Sequence, residues 1–224
     1  MTKELYVVGL GPGDPELVTV KGANAISKAD VIFVPYSTGT NRSLSIGIVE
    51  KYARKDAKIV TLGFPMAKKV EEDALKGIGD EICKEAGDFS VFVTLGDPTL
   101  YSTFFRIYKF VINCFTKIEL IPGVSSITSC ASRINLPLAL GDESILIVPS
   151  SRLSLLEEVK DKVETIVVMK ANENLDKISE MLKSSYTLYY ARRCYLDGEK
   201  IIPWDGSFDK DYFSMLIGVK KVER

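Results

Sequence analysis

Three glycine- or proline-rich segments each follow an apolar, β-prone run: GLGPGDP at 9–15, TLGDPTLYSTF at 94–104 and IPGVSS at 121–126. Helical patterns predict that helices over 15–28 and 99–113 begin inside the first two. Glycines in such turns allow a ligand to approach the backbone closely. A carboxylate, hydroxyls and free N–H groups at helix starts suit a ligand that carries both an ammonium and a carboxylate. The segments therefore predict a site for a small zwitterionic ligand.

The first segment also matches part of the dinucleotide fingerprint GxGxxG. Gly9 and Gly11 fit this pattern, but its third glycine position is Asp14. The acidic residue expected at the end of the second strand is missing as well, since that strand ends near Pro35. An anionic Asp14 at a helix start would repel a pyrophosphate. A dinucleotide-binding oxidoreductase is therefore a disfavoured alternative from a different class, and a tight turn that binds nothing stays open.

The chain contains no histidine. This excludes the Ser-His-Asp triad, the Cys-His pair and every histidine-ligated metal site, and it removes the commonest general base near neutral pH. The four cysteines, which have no CxxC spacing, are Cys83, Cys114, Cys130 and Cys194. We expect free thiols in a reducing cytosol, no metal site and no metal-carrier role. Catalysis would depend on positioning, and the sequence predicts no particular catalytic residue.

The composition is that of an ordinary globular protein. Of the 224 residues, 46% are hydrophobic and 26% are charged, and the formal net charge is −1. The lack of a basic excess argues against a nucleic-acid partner. We expect the first residues to form a strand rather than a signal peptide, and we find no apolar run as long as the roughly 18 residues of a membrane span. These features predict a cytoplasmic protein without a membrane partner.

Short β-rich runs alternate with helical stretches along most of the chain, which predicts an α/β fold. In the first half this alternation predicts a mainly parallel sheet covered on both faces. In the second half, LDGEK at 196–200 predicts a hairpin and hence a mixed sheet. A boundary near Pro122–Gly123 would give two α/β domains, 1–123 and 124–224, with the ligand cleft between them.

Together the three motifs resemble those of the tetrapyrrole (corrin/porphyrin) methyltransferase family. That family carries GxGPGDxxLxT, then GDPxxY followed by small residues, then PGxSS. Here the motifs are GLGPGDPELVT, GDPTLYSTF and PGVSS, and the resemblance spans nearly the whole chain. Within the family, the likeness is greatest to the branch that methylates C20 of precorrin-2 or cobalt-factor II in cobalamin biosynthesis. The segments that carry this likeness are LGFPM at 62–66, DPTLYSTF at 97–104, LPLA at 136–139 and GDE at 141–143.

The resemblance implies a homodimer that binds S-adenosyl-L-methionine as the methyl donor in the cleft between the domains. The residues that it places around the donor are Pro12, Leu95, Gly96, Asp97, Leu100, Ser102, Thr103, Ser125, Ser126, Met169 and Cys194. The methionine part of the donor would lie near residues 95–100, and Met169 would touch the adenosine. On the sequence alone, Met169 could equally be a core residue.

A tetrapyrrole substrate carries many carboxylates, so basic groups must face it, and guanidinium groups match carboxylates well. The basic candidates are Lys21, Arg42, Arg106, Arg133 and Arg192. For each of them a solvated surface charge is the alternative. Phe64 and Met66 are expected to press on the flat macrocycle.

One departure from the family pattern concerns the carbon that is methylated. The branch that acts on uroporphyrinogen III has an acidic residue at the end of the second strand, where this chain has Pro35. The resemblance therefore favours C20, with cobalt-factor II ahead of metal-free precorrin-2. The alternatives that share the fold are precorrin-4 C11, uroporphyrinogen III, diphthine and ribosomal-RNA methyltransferases.

Overall fold

The computed structural model describes residues 2–38, 44–65 and 72–221. The chain divides into two compact units, Met1–Ser125 (unit 1) and Ser126–Arg224 (unit 2). Each unit contains one five-stranded sheet. Among the described helices, none combines the length and the apolar character that crossing a membrane requires.

Unit 1 is built on a parallel sheet with the strand order β3-β2-β4-β1-β5. Its strands are β1 (Glu4–Gly9), β2 (Val31–Ser37), β3 (Lys58–Phe64), β4 (Phe89–Thr94) and β5 (Lys117–Ile121). The α-helices in its described ranges are α1 (Val20–Lys28), α2 (Ile46–Tyr52), α3 (Glu72–Glu85) and α4 (Phe104–Val111). This arrangement confirms the predicted parallel α/β sheet.

The helices of unit 1 cover both faces of its sheet. Successive residues of a strand point to opposite faces, so Ile32 and Phe33 of β2 enter two different cores. The Ile32 core also contains Ile26 of α1, whereas the Phe33 core contains Phe104 of α4. The chain therefore leaves β1 towards one face of the sheet and leaves β4 towards the other.

Unit 2 is built on a mixed sheet with the strand order β6-β7-β10-β8-β9. Its strands are β6 (Ile145–Pro149), β7 (Thr165–Met169), β8 (Tyr186–Arg192), β9 (Lys200–Pro203) and β10 (Ser214–Lys220). The α-helices in its described part are α5 (Ser126–Arg133), α6 (Leu153–Val159) and α7 (Leu175–Leu182). β6 and β7 are parallel, while the other pairs, including the β8–β9 hairpin, are antiparallel. The mixed sheet and the hairpin are thus confirmed.

The predicted helix over 15–28 is interrupted. Pro15–Leu17 forms a short 3-10 helix that Asp14 caps, because the Asp14 carboxylate accepts the Glu16 N–H at 2.9 Å. The α-helix itself begins at Val20, and the hydroxyl of Thr19 caps it. The turn between the two segments separates the glycine motif from α1.

The cysteines correct the expectation of free thiols. Cys83 is disulfide-bonded to Cys114, with the Cα atoms 5.5 Å apart, and Cys130 is bonded to Cys194, with the Cα atoms 5.6 Å apart. Both Cα separations are normal for disulfides. Each bridge lies inside one unit and closes a loop, with sequence separations of 31 and 64 residues. Because the partners are this far apart in sequence, the cysteine spacing could not reveal the pairing.

Candidate functional site

The three glycine motifs of unit 1 follow three neighbouring strands. β1 lies between β4 and β5, and the register places Gly9 beside Thr94 and Val8 beside Ile121. Because the strands are parallel, their carboxyl ends meet at one edge of the sheet. The motif turns therefore lie side by side, as a shared ligand site would require.

The backbones of the three turns are in direct contact. A Cβ atom on Gly9 would lie 2.6 Å from the Gly96 carbonyl oxygen and 2.6 Å from the Gly123 nitrogen, so only glycine fits there. The Gly96 N–H donates to the Gly11 carbonyl at 2.7 Å, and the Gly11 N–H donates to the Gly96 carbonyl at 3.3 Å. The glycines thus join the turns into one backbone frame.

Gly96 is the point of this frame that faces open space. Its φ is +70°, a conformation that favours glycine, and a Cβ atom there would meet no other atom within 4 Å. The neighbouring strands β1 and β4 lead to helices on opposite faces of the sheet. Crevices of this kind, at carboxyl strand ends, are where α/β proteins bind ligands. A ligand could therefore approach the Gly96 backbone closely.

Asp97 fastens the second turn to the third. Its Oδ1 accepts hydrogen bonds from the Thr99 N–H at 2.8 Å and from the Thr99 hydroxyl at 2.5 Å. Its Oδ2 accepts the Gly123 N–H at 3.0 Å. Burial by itself would raise the pKa of the Asp97 carboxyl, but the hydrogen bonds from Thr99 and Gly123 outweigh it and lower that pKa below its ordinary value. Asp97 is therefore ionised near neutral pH.

The segment from Asp97 to Thr103 is a turn rather than the start of a helix. α4 begins at Phe104, later than the predicted 99, and the Ser102 hydroxyl accepts the Phe104 N–H at 3.2 Å. Tyr101 adopts a left-handed φ of +56°. Asp97 and its bonds to Thr99 favour this turn over helix. The hydroxyls of Ser102 and Thr103, which are half-buried, thus precede α4.

The other donor candidates of unit 1 belong to the same three motif turns. Pro12 is buried, and Leu95, Leu100 and Ser125 are half-buried. Pro12 follows Gly11, and Leu95 precedes Gly96, so both flank the pair of hydrogen bonds between those two glycines. All of the predicted donor residues of unit 1 are on the described part of the chain.

The remaining donor candidates belong to unit 2. Ser126 is the first residue of α5, and Met169 is the half-buried last residue of β7. Cys194 is 6% exposed and lies between Arg193 and Tyr195, which have positive φ values of 49° and 63°. Such conformations are costly and concentrate at ligand-binding segments. The disulfide removes the Cys194 thiol, so a contact to a ligand would have to use its backbone.

Two basic acceptor candidates lie on helices of unit 1. The guanidinium of Arg106 on α4 donates to the Pro65 carbonyl at 3.3 Å, just beyond the end of β3. This places Arg106 at the same carboxyl edge of the sheet as the motif turns. Lys21 on α1 instead forms an ion pair with Glu119 on β5, and its side chain is largely exposed.

Two basic candidates in unit 2 have carboxylate partners. Arg133 bonds to Glu199 through two nitrogens, at 2.7 Å and 3.1 Å, and its guanidinium lies 4.7 Å from the centre of the Tyr195 ring. Hydrogen bonding to Arg133 is the main cause that lowers the pKa of the Glu199 carboxyl. Arg192 is paired with Asp209. These guanidinium groups stabilise loops of unit 2.

The position of Phe64 corrects its predicted role. Its side chain is 1% exposed and packs edge-on against Phe92, with ring centroids 6.3 Å apart. A phenylalanine at this place in the core cannot press on a macrocycle, because β3 directs its side chain into the sheet–helix interface. Arg42 and Met66 lie outside the described residues.

Sequence reasoning missed two residues that organise these sites. Thr99 supplies two hydrogen bonds to Asp97, and Glu199 holds Arg133. The signal for Thr99 was present, since an Asp that bonds two residues ahead is a recurrent turn. No comparable local signal links Glu199 to Arg133, which lies 66 residues away in the sequence.

These features describe an α/β protein with a candidate ligand site, lined by backbone, at the carboxyl edge of its parallel sheet. The chain belongs to the tetrapyrrole (corrin/porphyrin) methylases, the family that matches residues 4–205. It is therefore a tetrapyrrole methyltransferase, and the resemblance seen in the three motifs is confirmed.

Individual relatives agree with this membership. The probable cobalt-precorrin-2 C(20)-methyltransferase of Methanocaldococcus jannaschii is 34% identical over 237 aligned positions, which cover 100% of this chain and 99% of the relative. The cobalt-precorrin-2 C(20)-methyltransferase of Salmonella typhimurium is 28% identical over 190 positions, which cover 81% and 78%. The uroporphyrin-III C-methyltransferase of Thermus thermophilus, solved in complex with S-adenyl homocysteine, shares the fold with a TM-score of 0.70 at 20% identity, covering 96% and 97% of the two chains.

Proposed function

We propose that this chain methylates C20 of cobalt-factor II or precorrin-2 in cobalamin biosynthesis, with S-adenosyl-L-methionine as the donor. The observation that carries the proposal is the 34% identity, over the whole chain, to a relative named as a C20-methyltransferase. The relative from Salmonella typhimurium bears a C20 name as well. Pro35 supports C20 over C2 and C7, because it replaces the acidic residue of the uroporphyrinogen branch.

The backbone frame of unit 1 fits such a donor. The open space beside Gly96 admits a ligand to the backbone, and the hydroxyls that precede α4 can bond its amino-acid part. S-adenosyl-L-methionine supplies an electrophilic methyl group on a sulfonium. The residues that would form its site in unit 1 are Pro12, Leu95, Gly96, Asp97, Leu100, Ser102, Thr103 and Ser125, and those in unit 2 are Ser126, Met169 and Cys194.

The acceptor would be held by charge and orientation rather than by a strong base. Arg106 is the best-placed basic group, since it lies at the carboxyl edge of the parallel sheet and can meet a carboxylate of the tetrapyrrole. A reduced tetrapyrrole is itself an electron-rich carbon nucleophile. Correct placement of donor and acceptor can lower the barrier by roughly 7–11 kcal/mol. The chain needs no histidine for this chemistry, and it has none.

The proposal includes the oligomeric state of the protein. We expect a cytoplasmic homodimer, as the resemblance to the family implies. Sedimentation equilibrium tests the dimer, because the monomer mass is 24.8 kDa. A species of that mass at micromolar concentration would contradict it.

The decisive experiment uses S-adenosylmethionine with a carbon-13 methyl group. The enzyme is incubated with cobalt-factor II and, separately, with precorrin-2, and the products are analysed by mass spectrometry and NMR. We expect a single label at C20, with cobalt-factor II the better acceptor. A label at C2, C7, C11 or C17, or no labelled tetrapyrrole, would overturn the proposal. Calorimetry with NADH tests the oxidoreductase alternative, which requires NADH to bind.

A further inference from the structure

The Asp97 carboxylate is already committed to protein groups. A carboxylate offers about four acceptor sites. Three of them are used, two by Thr99 at 2.8 Å and 2.5 Å and one by Gly123 at 3.0 Å. The Thr99 bonds shape the turn before α4, and the Gly123 bond ties that turn to the end of β5. The carboxylate therefore links two of the three motif turns.

This link adds to the glycine contacts. The first and second turns are joined by the paired hydrogen bonds between Gly11 and Gly96. The second and third turns meet where the Gly96 carbonyl approaches Gly123, and a Cβ atom on Gly123 would lie only 2.3 Å from that oxygen. The Asp97 bond to Gly123 connects these two turns through a side chain. This hydrogen bond should therefore fix the positions of the Gly96 backbone and of the Ser102 and Thr103 hydroxyls.

We infer that Asp97 is a positioning residue, which acts on donor binding by holding the second and third motif turns together rather than by contacting the ammonium group of the donor. This inference rests on the proposed function. Without the carboxylate, the Gly123 N–H would lose its partner and the turn before α4 would lose its two Thr99 bonds. The whole donor site would then loosen, so every part of the donor would lose affinity.

The two possible roles of Asp97 can be separated with a pair of ligands. S-adenosylhomocysteine carries the ammonium group, and its desamino analogue lacks it. If Asp97 positions the turns, Asp97→Ala should weaken both ligands by the same factor, about 10-fold to 100-fold, as expected for lost hydrogen bonds to a charged group. If Asp97 binds the ammonium, the variant should lose affinity for S-adenosylhomocysteine alone.

Two milder variants provide the same comparison of affinities if Asp97→Ala fails to fold. Asp97→Asn retains the shape and one acceptor oxygen, and Thr99→Val removes only the hydroxyl bond. Both should retain a cooperative thermal transition and should weaken the two ligands equally, with a smaller factor than Asp97→Ala. Calorimetry gives the affinities, and thermal unfolding establishes that each variant is folded.

Each outcome is decisive. An equal loss for both ligands supports the positioning role. A loss confined to S-adenosylhomocysteine, or unchanged affinity for both ligands in Asp97→Ala, overturns the inference and leaves the proposed function intact. Failure of the wild-type protein to bind S-adenosylhomocysteine would overturn the donor assignment itself, and the inference with it.

Discussion

Cys130 of α5 is disulfide-bonded to Cys194 in the loop after β8, with the two Cα atoms 5.6 Å apart. The same helix and loop are joined a second time, because Arg133 bonds to Glu199 and lies over the Tyr195 ring. This double connection holds a loop that contains two non-glycine residues with positive φ, Arg193 and Tyr195. The second half of α5 is therefore tied twice to the loop that contains Cys194.

The first prediction concerns the two disulfides. The protein, denatured without reductant, should contain no thiol that reacts with an alkylating reagent, since all four cysteines are paired. Replacing Cys130 and Cys194 by Ser should lower the free energy of unfolding by about 2–4 kcal/mol, because the bridge restricts the unfolded chain. Mass spectrometry after alkylation and urea unfolding measure these effects.

The second bridge provides the matched control. The double variant Cys83→Ser/Cys114→Ser opens the shorter loop, so its stability loss should be similar or slightly smaller. It should leave donor affinity unchanged, whereas the Cys130/Cys194 double variant should weaken S-adenosylhomocysteine binding. Four alkylated thiols in the unreduced protein would show that the pairing is wrong.

The second prediction separates packing from substrate contact at Phe64. Phe64→Ala should lower the free energy of unfolding by about 3–5 kcal/mol, because it leaves a cavity beside Phe92. Phe105→Ala is the control, since Phe105 is 50% exposed and should cost only about 1 kcal/mol. Urea denaturation of both variants is the measurement. A fully stable Phe64→Ala protein with a raised acceptor KM would instead support the role that the sequence suggested.

Much of the fold could be predicted because its strands are strongly patterned. The alternation of β-rich runs and helical stretches predicted the parallel sheet of unit 1, and the hairpin at 196–200 follows from its turn residues. Helix starts were less accurate. A stretch can have helical periodicity and still begin with a turn, as residues 97–103 do because Asp97 bonds to Thr99.

The backbone part of the candidate site could be predicted from the sequence. The side chains whose positions depend on contacts with distant segments could not. Gly9, Gly96 and Gly123 lie in motifs, and strand adjacency in a parallel sheet brings them together. In contrast, the burial of Phe64 and the pairing of Arg133 depend on contacts between segments far apart in the sequence. Periodicity cannot reveal these contacts, so an exposed role and a packed role looked alike.

The third prediction is a pH dependence of stability. The pKa of the Glu199 carboxyl is lowered in the folded protein, chiefly by the hydrogen bond to Arg133. A lowered pKa stabilises the fold above the ordinary value of about 4.3, and this contribution disappears as the pH falls through the folded pKa. Glu199→Gln should therefore be less stable than wild type at pH 7, and the difference should shrink below about pH 4.

Urea denaturation between neutral and acidic pH measures this difference. Glu180→Gln is the control, because Glu180 forms an exposed ion pair with Lys183, and such pairs contribute about 0–1 kcal/mol. It should follow the wild-type pH profile. A constant difference between Glu199→Gln and wild type across the pH range would contradict the proposed coupling to Arg133.

The last prediction compares two glycines of the backbone frame. A Cβ atom at Gly123 would collide with the Gly96 carbonyl oxygen and with the backbone of Gly9, so Gly123→Ala should lower the melting temperature strongly. A Cβ atom at Gly96 meets nothing within 4 Å, so Gly96→Ala should cost only the strain of its positive φ, about 1–2 kcal/mol. Its methyl group would nevertheless occupy the space proposed for the donor, and overpacking there should weaken S-adenosylhomocysteine binding by about tenfold or more.

The control is Gly206→Ala. Gly206 has the same kind of positive φ and open surroundings in unit 2, so this variant should lose stability without losing affinity for S-adenosylhomocysteine. Calorimetry and thermal unfolding of the three variants decide the matter: if Gly96→Ala binds S-adenosylhomocysteine as tightly as Gly206→Ala does, the donor does not approach the Gly96 backbone.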